Sequence, residues 1–122
     1  MSTKEMKYGK NVENNIYFIK QLDNLGIDRK YTGYYLLVEI MQVLINEEKS
    51  IKSFSRELYP QIARKYHKTD CTIERNIRSL IDKCWNKDMM IKLNVFYLED
   101  FKPTCRTFVY LIKDYILKQI NW

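Results

Sequence analysis

The chain is poor in the residues that mark tight turns, disulfide bonds and metal sites. Its 122 residues include three glycines, two prolines, three cysteines and one histidine. So few turn residues disfavour an all-β fold, in which each short strand ends at a turn. The odd number of cysteines, with no CxxC pair, disfavours a disulfide framework and indicates reduced thiols in a cytosolic protein.

Long apolar runs are also missing. No stretch approaches the ~18 apolar residues of a membrane-spanning helix, and the N-terminus lacks the apolar segment of a secretory signal. We therefore expect a cytoplasmic protein without a membrane partner. The hydrophobic share of 46% and the charged share of 30% are typical of a globular chain, and the length suits one domain.

Positive charge is concentrated in one segment of the chain. The net charge is +6. Residues 49–87 hold ten Lys/Arg and four Asp/Glu, so this segment alone accounts for the whole excess. A localised excess of this kind is typical of a protein that binds a polyanion. A solvated basic surface without a ligand is the alternative that charge alone leaves open.

Apolar residues at three- and four-residue spacing predict an all-α fold of about six helices. The predicted helices and helical turns cover 13–25, 32–46, 51–58, 60–66, 70–85, a short stretch after Asn86, and 105–120. Gly26 is placed to end the first helix and Thr32 to cap the second. The second helix is apolar on nearly all sides, which predicts a central position. We divide the chain into a flexible tail over 1–12 and one domain over 13–122.

Function is expected to depend on two helices joined by a tight turn, over residues 58–85. His67 lies in the turn, and histidine tolerates a positive φ better than most residues other than glycine. Thr69 or Asp70 is placed to cap the second helix. Ala63 offers a small side chain where the two helices cross. This pattern is typical of a helix-turn-helix, whose second helix enters the major groove of DNA.

The second helix of this pair carries two different faces. At 100° per residue, one face is apolar, with Ile73, Ile77, Leu80, Ile81, Cys84 and Trp85. The opposite stripe is polar, with Thr72, Arg75, Asn76, Ser79 and Lys83. Arginine can bind guanine through two hydrogen bonds and asparagine can bind adenine in the same way, so this stripe can read base edges.

Base contacts select a DNA sequence, whereas phosphate contacts fix the register of the protein on the duplex. The predicted base-contacting residues are Thr72, Glu74, Arg75, Asn76 and Ser79. The predicted phosphate-contacting residues are Tyr59, Arg64, Lys65, Lys68, Thr69, Arg78 and Lys83. Glu74 has two possible roles, since it could accept from cytosine or hold a neighbouring arginine in place.

The residues give little support to other chemistry. His67 has no obvious acid or nucleophile partner, and the glycines form no phosphate-binding loop. The cysteines and the histidine lack metal-ligand spacing. We therefore predict no enzymatic activity, no cofactor and no metal. Tyr31, Tyr34 and Tyr35 could stack on bases, but their helical spacing favours core positions.

Six short segments resemble, in order and approximate spacing, the C-terminal DNA-binding effector domain of the response regulator of sporulation initiation (the stage-zero sporulation protein A family) in endospore-forming Firmicutes. They are LGI (25–27), TGYYLL (32–37), LYPQIARKY (58–66), IERNIR (73–78), Trp85 and KPT (102–104). The resemblance implies an all-helical domain whose helix-turn-helix binds short duplex DNA boxes as a tandem homodimer. RNA polymerase would be a further partner of such a regulator.

The sequence departs from this family in two respects. The family protein carries a phosphorylatable receiver domain, whereas only the residues 1–12 precede the predicted domain here, so we expect no control by an aspartyl phosphate. The family's recognition helix reads roughly S-R-V-E-R-A-I-R, and residues 71–78 read CTIERNIR. Thr72 and Asn76 differ from the family pattern, so we expect a changed DNA target.

Two hypotheses of function follow from these features. The first is a transcription regulator that reads duplex DNA with the helix over 70–85. The second is an antagonist or modulator that pairs with the full-length sporulation regulator. Its partner surface would be the last helix, through Phe108, Val109, Leu111, Ile112, Tyr115 and Ile116. Packing of this helix into the core is the simpler interpretation.

Overall fold

The computed structural model describes residues 11–47, 51–95 and 102–120, and the side chains among these except those of 11–14 and Ile120. These ranges are helical and contain no strand, which confirms the predicted all-α fold. The six helices are α1 (Asn11–Asn24), α2 (Thr32–Met41), α3 (Tyr59–Tyr66), α4 (Asp70–Cys84), α5 (Lys87–Lys92) and α6 (Cys105–Ile120). Of the predicted tail, residues 1–10 lie outside the described ranges, and α1 begins at Asn11.

Helix α1 ends in a glycine turn, as predicted. Gly26 has a φ of 84°. The Gly26 N–H donates to the carbonyl of Asp23 at 2.9 Å, and the Ile27 N–H donates to the carbonyl of Leu22 at 3.1 Å. This pair of hydrogen bonds is a Schellman motif, and Leu22 and Ile27 are both buried beside it. The turn therefore fixes the direction in which the chain leaves α1.

Helix α2 is the central helix of the domain, and a π-helical segment over Gln42–Asn46 extends it. Most of its side chains are buried, as its apolar pattern predicts, but Tyr35 is 51% exposed. The predicted N-cap is wrong by one residue. Tyr31 occupies the cap position without a side-chain hydrogen bond, and Thr32 is the first helical residue.

A close crossing joins α2 to α4. A Cβ atom at Gly33 would lie 2.5 Å from the carbonyl oxygen of Asn76 and 3.0 Å from Cβ of Leu80. Only glycine lets the two helices approach this closely. Ala63, predicted to lie at a crossing of the helix-turn-helix, is buried at 3% exposure. The sequence did not predict the crossing of α2 and α4 at Gly33.

Helix α6 contributes its apolar face to the core. Phe108, Val109, Ile112 and Ile116 are fully buried, and the Phe108 ring lies edge-on to Trp85 with centroids 6.3 Å apart. The interpretation of this helix as core is therefore confirmed. Of the six residues predicted to hold a partner, these four are buried in the core, and Leu111 and Tyr115 are half-buried. Among the helices of the described ranges, none combines the length and the apolar character needed to cross a membrane.

Candidate nucleic-acid interface

The turn between α3 and α4 is fixed by its backbone hydrogen bonds. His67 adopts a left-handed conformation, with φ 55° and ψ 43°, as predicted for its place in the turn. The Lys68 N–H donates to the carbonyl of Ala63 at 2.9 Å, and the His67 N–H donates to the carbonyl of Arg64 at 3.5 Å. Helix α3 thus ends in a second Schellman motif, with histidine where glycine is usual.

Thr69 caps helix α4. Its hydroxyl oxygen accepts a hydrogen bond from the Thr72 N–H at 3.1 Å and lies 2.8 Å from the Thr72 hydroxyl. Of the two predicted caps, Thr69 therefore holds the position, and Asp70 is the first helical residue. The cap satisfies one of the free N–H groups at the start of α4 and sets where the helix begins.

The two faces of α4 follow the predicted pattern. Its buried side chains are Ile73, Ile77, Leu80, Ile81 and Cys84. Its exposed side chains are Asp70, Cys71, Arg75, Arg78, Ser79, Asp82 and Lys83. At 100° per residue, Arg75 lies opposite the middle of the buried face and so projects farthest from the domain. Trp85 is half-buried just beyond the helix end.

Three predicted contact residues lie at the edges of this exposed face. Thr72, Glu74 and Asn76 are half-buried. Asn76 lies on the edge toward α2, since its backbone carbonyl meets Gly33. Glu74 lies on the opposite edge, toward α6, because its carbonyl oxygen accepts from the Cys105 thiol at 3.7 Å. Helix α4 is thus flanked by α2 on one side and by the start of α6 on the other.

Several cations of this surface are already paired with carboxylates. Arg78 donates from Nη2 to Oε1 of Glu74 at 2.9 Å, so Glu74 holds this neighbouring arginine. Lys65 Nζ lies 2.9 Å from Oε1 of Glu39 on α2. On the side toward α6, Lys102 pairs with Asp82. Exposed pairs of this kind contribute little to stability, about 0–1 kcal/mol each, and a competing phosphate can replace the carboxylate.

Other cations keep their full charge for a ligand. Arg64, Lys68, Arg75 and Lys83 are exposed and have no carboxylate within ion-pair distance in the ranges that the structure describes. Three of them bracket the start of α4, in α3, in the turn and on the first turns of the helix. These three residues therefore place unpaired positive charge where a helix-turn-helix meets DNA.

Tyr59 was predicted to contact phosphate, and its position corrects that prediction. The side chain is 4% exposed, and its ring lies edge-on to Phe54 with centroids 5.8 Å apart. Burial raises the pKa of Tyr59 well above its ordinary value. A hydroxyl enclosed in this way does not reach a phosphate, so Tyr59 is a core residue at the start of α3.

A shallow cavity beside the start of α2 was missed from the sequence. It has a volume of about 270 Å³ and is lined by Arg29, Lys30, Tyr31, Thr32, Tyr35, Leu36, Tyr66 and Lys68. The expectation that all three tyrosines of this region lie in the core is wrong for Tyr35, although Tyr34 is buried. A nearly all-apolar helix gives no periodic signal that tells its exposed tyrosine from its buried one.

The cysteines and other possible metal ligands of the described ranges do not form a metal site. No cluster of three or more His, Cys, Asp or Glu side chains that could hold a metal ion occurs there. Cys71 is exposed, Cys84 and Cys105 are buried, and all three are free thiols.

A comparison with protein families identifies the family of this chain. A family model described as Sporulation initiation factor Spo0A C terminal matches residues 18–116. The match begins within α1, ends within α6 and contains the whole of α3, the turn and α4. It therefore covers most of the chain.

Proposed function

The chain belongs to the sporulation initiation factor Spo0A C-terminal family, a family of DNA-binding effector domains in transcription regulation, and we propose that it reads a specific duplex sequence with α4. The family is one of DNA-binding domains and not of enzymes. The family match supports DNA as a partner, and we assign the exposed face of α4 and the turn before it as the surface that binds it. The finer proposal concerns which side chains select the sequence and which hold the backbone.

Arg75 is the residue on which this proposal rests. It projects from the middle of the exposed face, in the N-terminal half of α4, and no carboxylate of the described ranges pairs with it. A free guanidinium at this place can donate two parallel hydrogen bonds to the O6 and N7 atoms of guanine. Arg78, one turn later, is held by Glu74 and suits a phosphate instead.

The remaining predicted base contacts lie on either side of Arg75. Thr72 and Asn76 face the α2 side, and Ser79 lies on the same exposed face one turn farther along α4. Asn76 can bind adenine through two hydrogen bonds. Glu74 has one carboxylate oxygen engaged by Arg78, which leaves the other oxygen to accept from cytosine.

The proposed phosphate contacts divide into free and engaged groups. Arg64, Lys68 and Lys83 carry unpaired charge. Lys65 would exchange its pair with Glu39 for a phosphate. The Thr69 hydroxyl is occupied by the helix cap, so we propose that its backbone rather than its side chain faces the phosphate.

Selection from a random duplex library tests the proposal. The protein alone should enrich one short box. The logarithm of its affinity for this box should fall linearly with the logarithm of the salt concentration, because phosphate contacts release counterions. The stoichiometry on the enriched box should be read in the same titration, since tandem binding requires two protomers per site.

An unenriched library would contradict sequence reading by α4. If the protein bound all duplexes equally but retained the full-length sporulation regulator in a pull-down, the antagonist hypothesis would replace it. The burial of Phe108, Val109, Ile112 and Ile116 weighs against that alternative, because it removes most of the surface expected to hold the partner.

A further inference from the structure

We propose that the cavity beside the start of α2 binds a backbone phosphate of the DNA strand on that side of α4. This inference rests on the proposed function and adds contacts that the sequence did not suggest, above all Lys30. The name α2 pocket is used below for the cavity lined by Arg29, Lys30, Tyr31, Thr32, Tyr35, Leu36, Tyr66 and Lys68.

The α2 pocket lies beside the proposed reading helix. Lys68, which lines the pocket, directly precedes the Thr69 cap of α4. Thr32, which also lines the pocket, directly precedes Gly33, whose backbone meets the carbonyl of Asn76 on α4. The pocket therefore borders the edge of α4 that carries Thr72 and Asn76.

Groove dimensions explain why a neighbour of α4 should meet phosphate. An α-helix with its side chains is about 10–12 Å across. The major groove is about 12 Å wide, so one helix fills it. Elements packed against the sides of α4 then lie over the phosphate rims of the groove. On one side this element is the start of α2, and on the other it is the segment before α6.

The charge of the α2 pocket suits an anion. Three cations line it, and no carboxylate does. Lys30 lies 3.8 Å from Asp28, a long and exposed pair that holds its charge only weakly, and its ammonium lies 5.2 Å from the Tyr31 ring centre. Lys68 has no carboxylate partner in the ranges that the structure describes. Both ammonium groups can therefore turn to a phosphate.

The loop that carries Lys30 is held in place before any ligand arrives. Asp23 pairs with Arg29 at 2.5 Å and also accepts from the Tyr34 hydroxyl at 2.9 Å. The backbone N–H of Lys30 donates to the Asp28 carboxylate at 2.9 Å. A loop fixed by these contacts loses little further freedom when it binds, which favours binding.

The two flanks of α4 differ in available charge. On the α6 side, Arg78 and Lys102 are each paired with an acidic side chain of α4 itself. On the α2 side, Lys30 and Lys68 are weakly paired or unpaired. The domain should therefore grip the strand on the α2 side more firmly than the other strand.

A phosphate scan of the enriched duplex tests this inference. Each backbone phosphate is replaced in turn by a neutral methylphosphonate, and affinity is measured for the wild type and for Lys30→Ala. One replacement on the α2 side should weaken wild-type binding severalfold and weaken Lys30→Ala binding less, because only Lys68 of the two lysines then remains to contact that phosphate. Lys30→Ala should also reduce the salt slope by about 0.9, so that the wild type loses about threefold more affinity between 50 and 200 mM salt.

Lys118→Ala is the matched control for net charge. Lys118 is exposed in the last turn of α6, about 20 Å along the helix from its start at α4, and pairs with Asp114. Lys30→Arg should keep the wild-type salt slope, since it keeps the charge in the pocket.

The outcomes separate this inference from the proposed function. If Lys30→Ala behaves like Lys118→Ala and is weakened by every methylphosphonate as strongly as the wild type, the pocket does not bind phosphate through Lys30, although sequence reading by α4 stands. If the wild type enriches no duplex at all, the proposed function fails and this inference fails with it.

Discussion

Gly33 on α2 and Asn76 on α4 meet through their backbones, since a Cβ atom at Gly33 would lie 2.5 Å from the Asn76 carbonyl oxygen. This contact joins the central helix to the proposed reading helix at closer range than side chains would allow. It also fixes the edge of α4 beside the α2 pocket. The place from which Arg75 projects therefore depends on a glycine in another helix.

Gly33→Ala should destabilise the domain by about 1–3 kcal/mol, because the obstructing atom belongs to the backbone and the two helices must separate. The urea midpoint should fall accordingly. Ser79→Ala is the control, since Ser79 is exposed on α4 and alanine favours helix. A wild-type midpoint for Gly33→Ala would show that α2 and α4 do not meet in this way.

His67 holds a left-handed conformation that side chains disfavour by about 1–2 kcal/mol, and β-branched side chains disfavour it most. We expect the urea midpoint of His67→Val to lie below that of the wild type. The midpoint of His67→Gly should equal or exceed the wild-type value. The comparison of the two variants is decisive, because both remove the imidazole. Equal stability of the valine and glycine variants would contradict the positive φ.

Thr69→Ala should lower the free energy of unfolding by about 1 kcal/mol, because the Thr72 N–H loses the hydroxyl that caps α4. Thr69→Ser keeps the hydroxyl and should retain most of the stability. Chemical denaturation of the three proteins measures the difference. Should the serine variant lose as much as the alanine variant, the cap would not be the cause.

Acid should weaken the loop that carries Lys30. The pKa of Asp23 is lowered below its ordinary value of 3.8, first by its hydrogen bonds with Arg29 and then also by the Tyr34 hydroxyl. A lowered folded-state pKa contributes stability that is present above the unfolded pKa and lost as pH falls through the folded value. Urea midpoints of the wild type should therefore decline below about pH 4.

Asp23→Asn provides the comparison for that decline, since the amide does not titrate. Its midpoint should fall less steeply with acid than that of the wild type. Asp114→Asn, in the exposed pair with Lys118 on α6, serves as the control. If the urea midpoints of the wild type and of Asp23→Asn fell equally with acid, the Asp23–Arg29 pair would not contribute to the pH dependence of folding.

Local patterns in the sequence were sufficient to predict α4 and the turn before it. The apolar side chains of α4 recur at helical spacing, and Thr69 and His67 carry backbone preferences that neighbours do not override. The family resemblance drawn from six short segments is confirmed by the match over residues 18–116. Features set by a residue and its immediate neighbours were thus accessible from the sequence.

Features that depend on distant packing were not accessible. Tyr35 and Tyr59 have the same residue type and similar apolar neighbours, yet Tyr35 is exposed and Tyr59 is buried against Phe54. The α2 pocket brings Lys30 near Lys68, which is 38 positions later in the chain. No periodicity within one helix encodes such a meeting, so it required the structure.

The most direct test of sequence reading by α4 compares Arg75→Ala with Lys68→Ala on the enriched box and on an unrelated duplex. Arg75→Ala should lose about 1–3 kcal/mol, or roughly 5- to 150-fold, on the enriched box and far less on the unrelated duplex. Lys68→Ala should weaken both duplexes about equally and flatten the salt dependence. Equal losses on both duplexes for Arg75→Ala would contradict its role in reading bases.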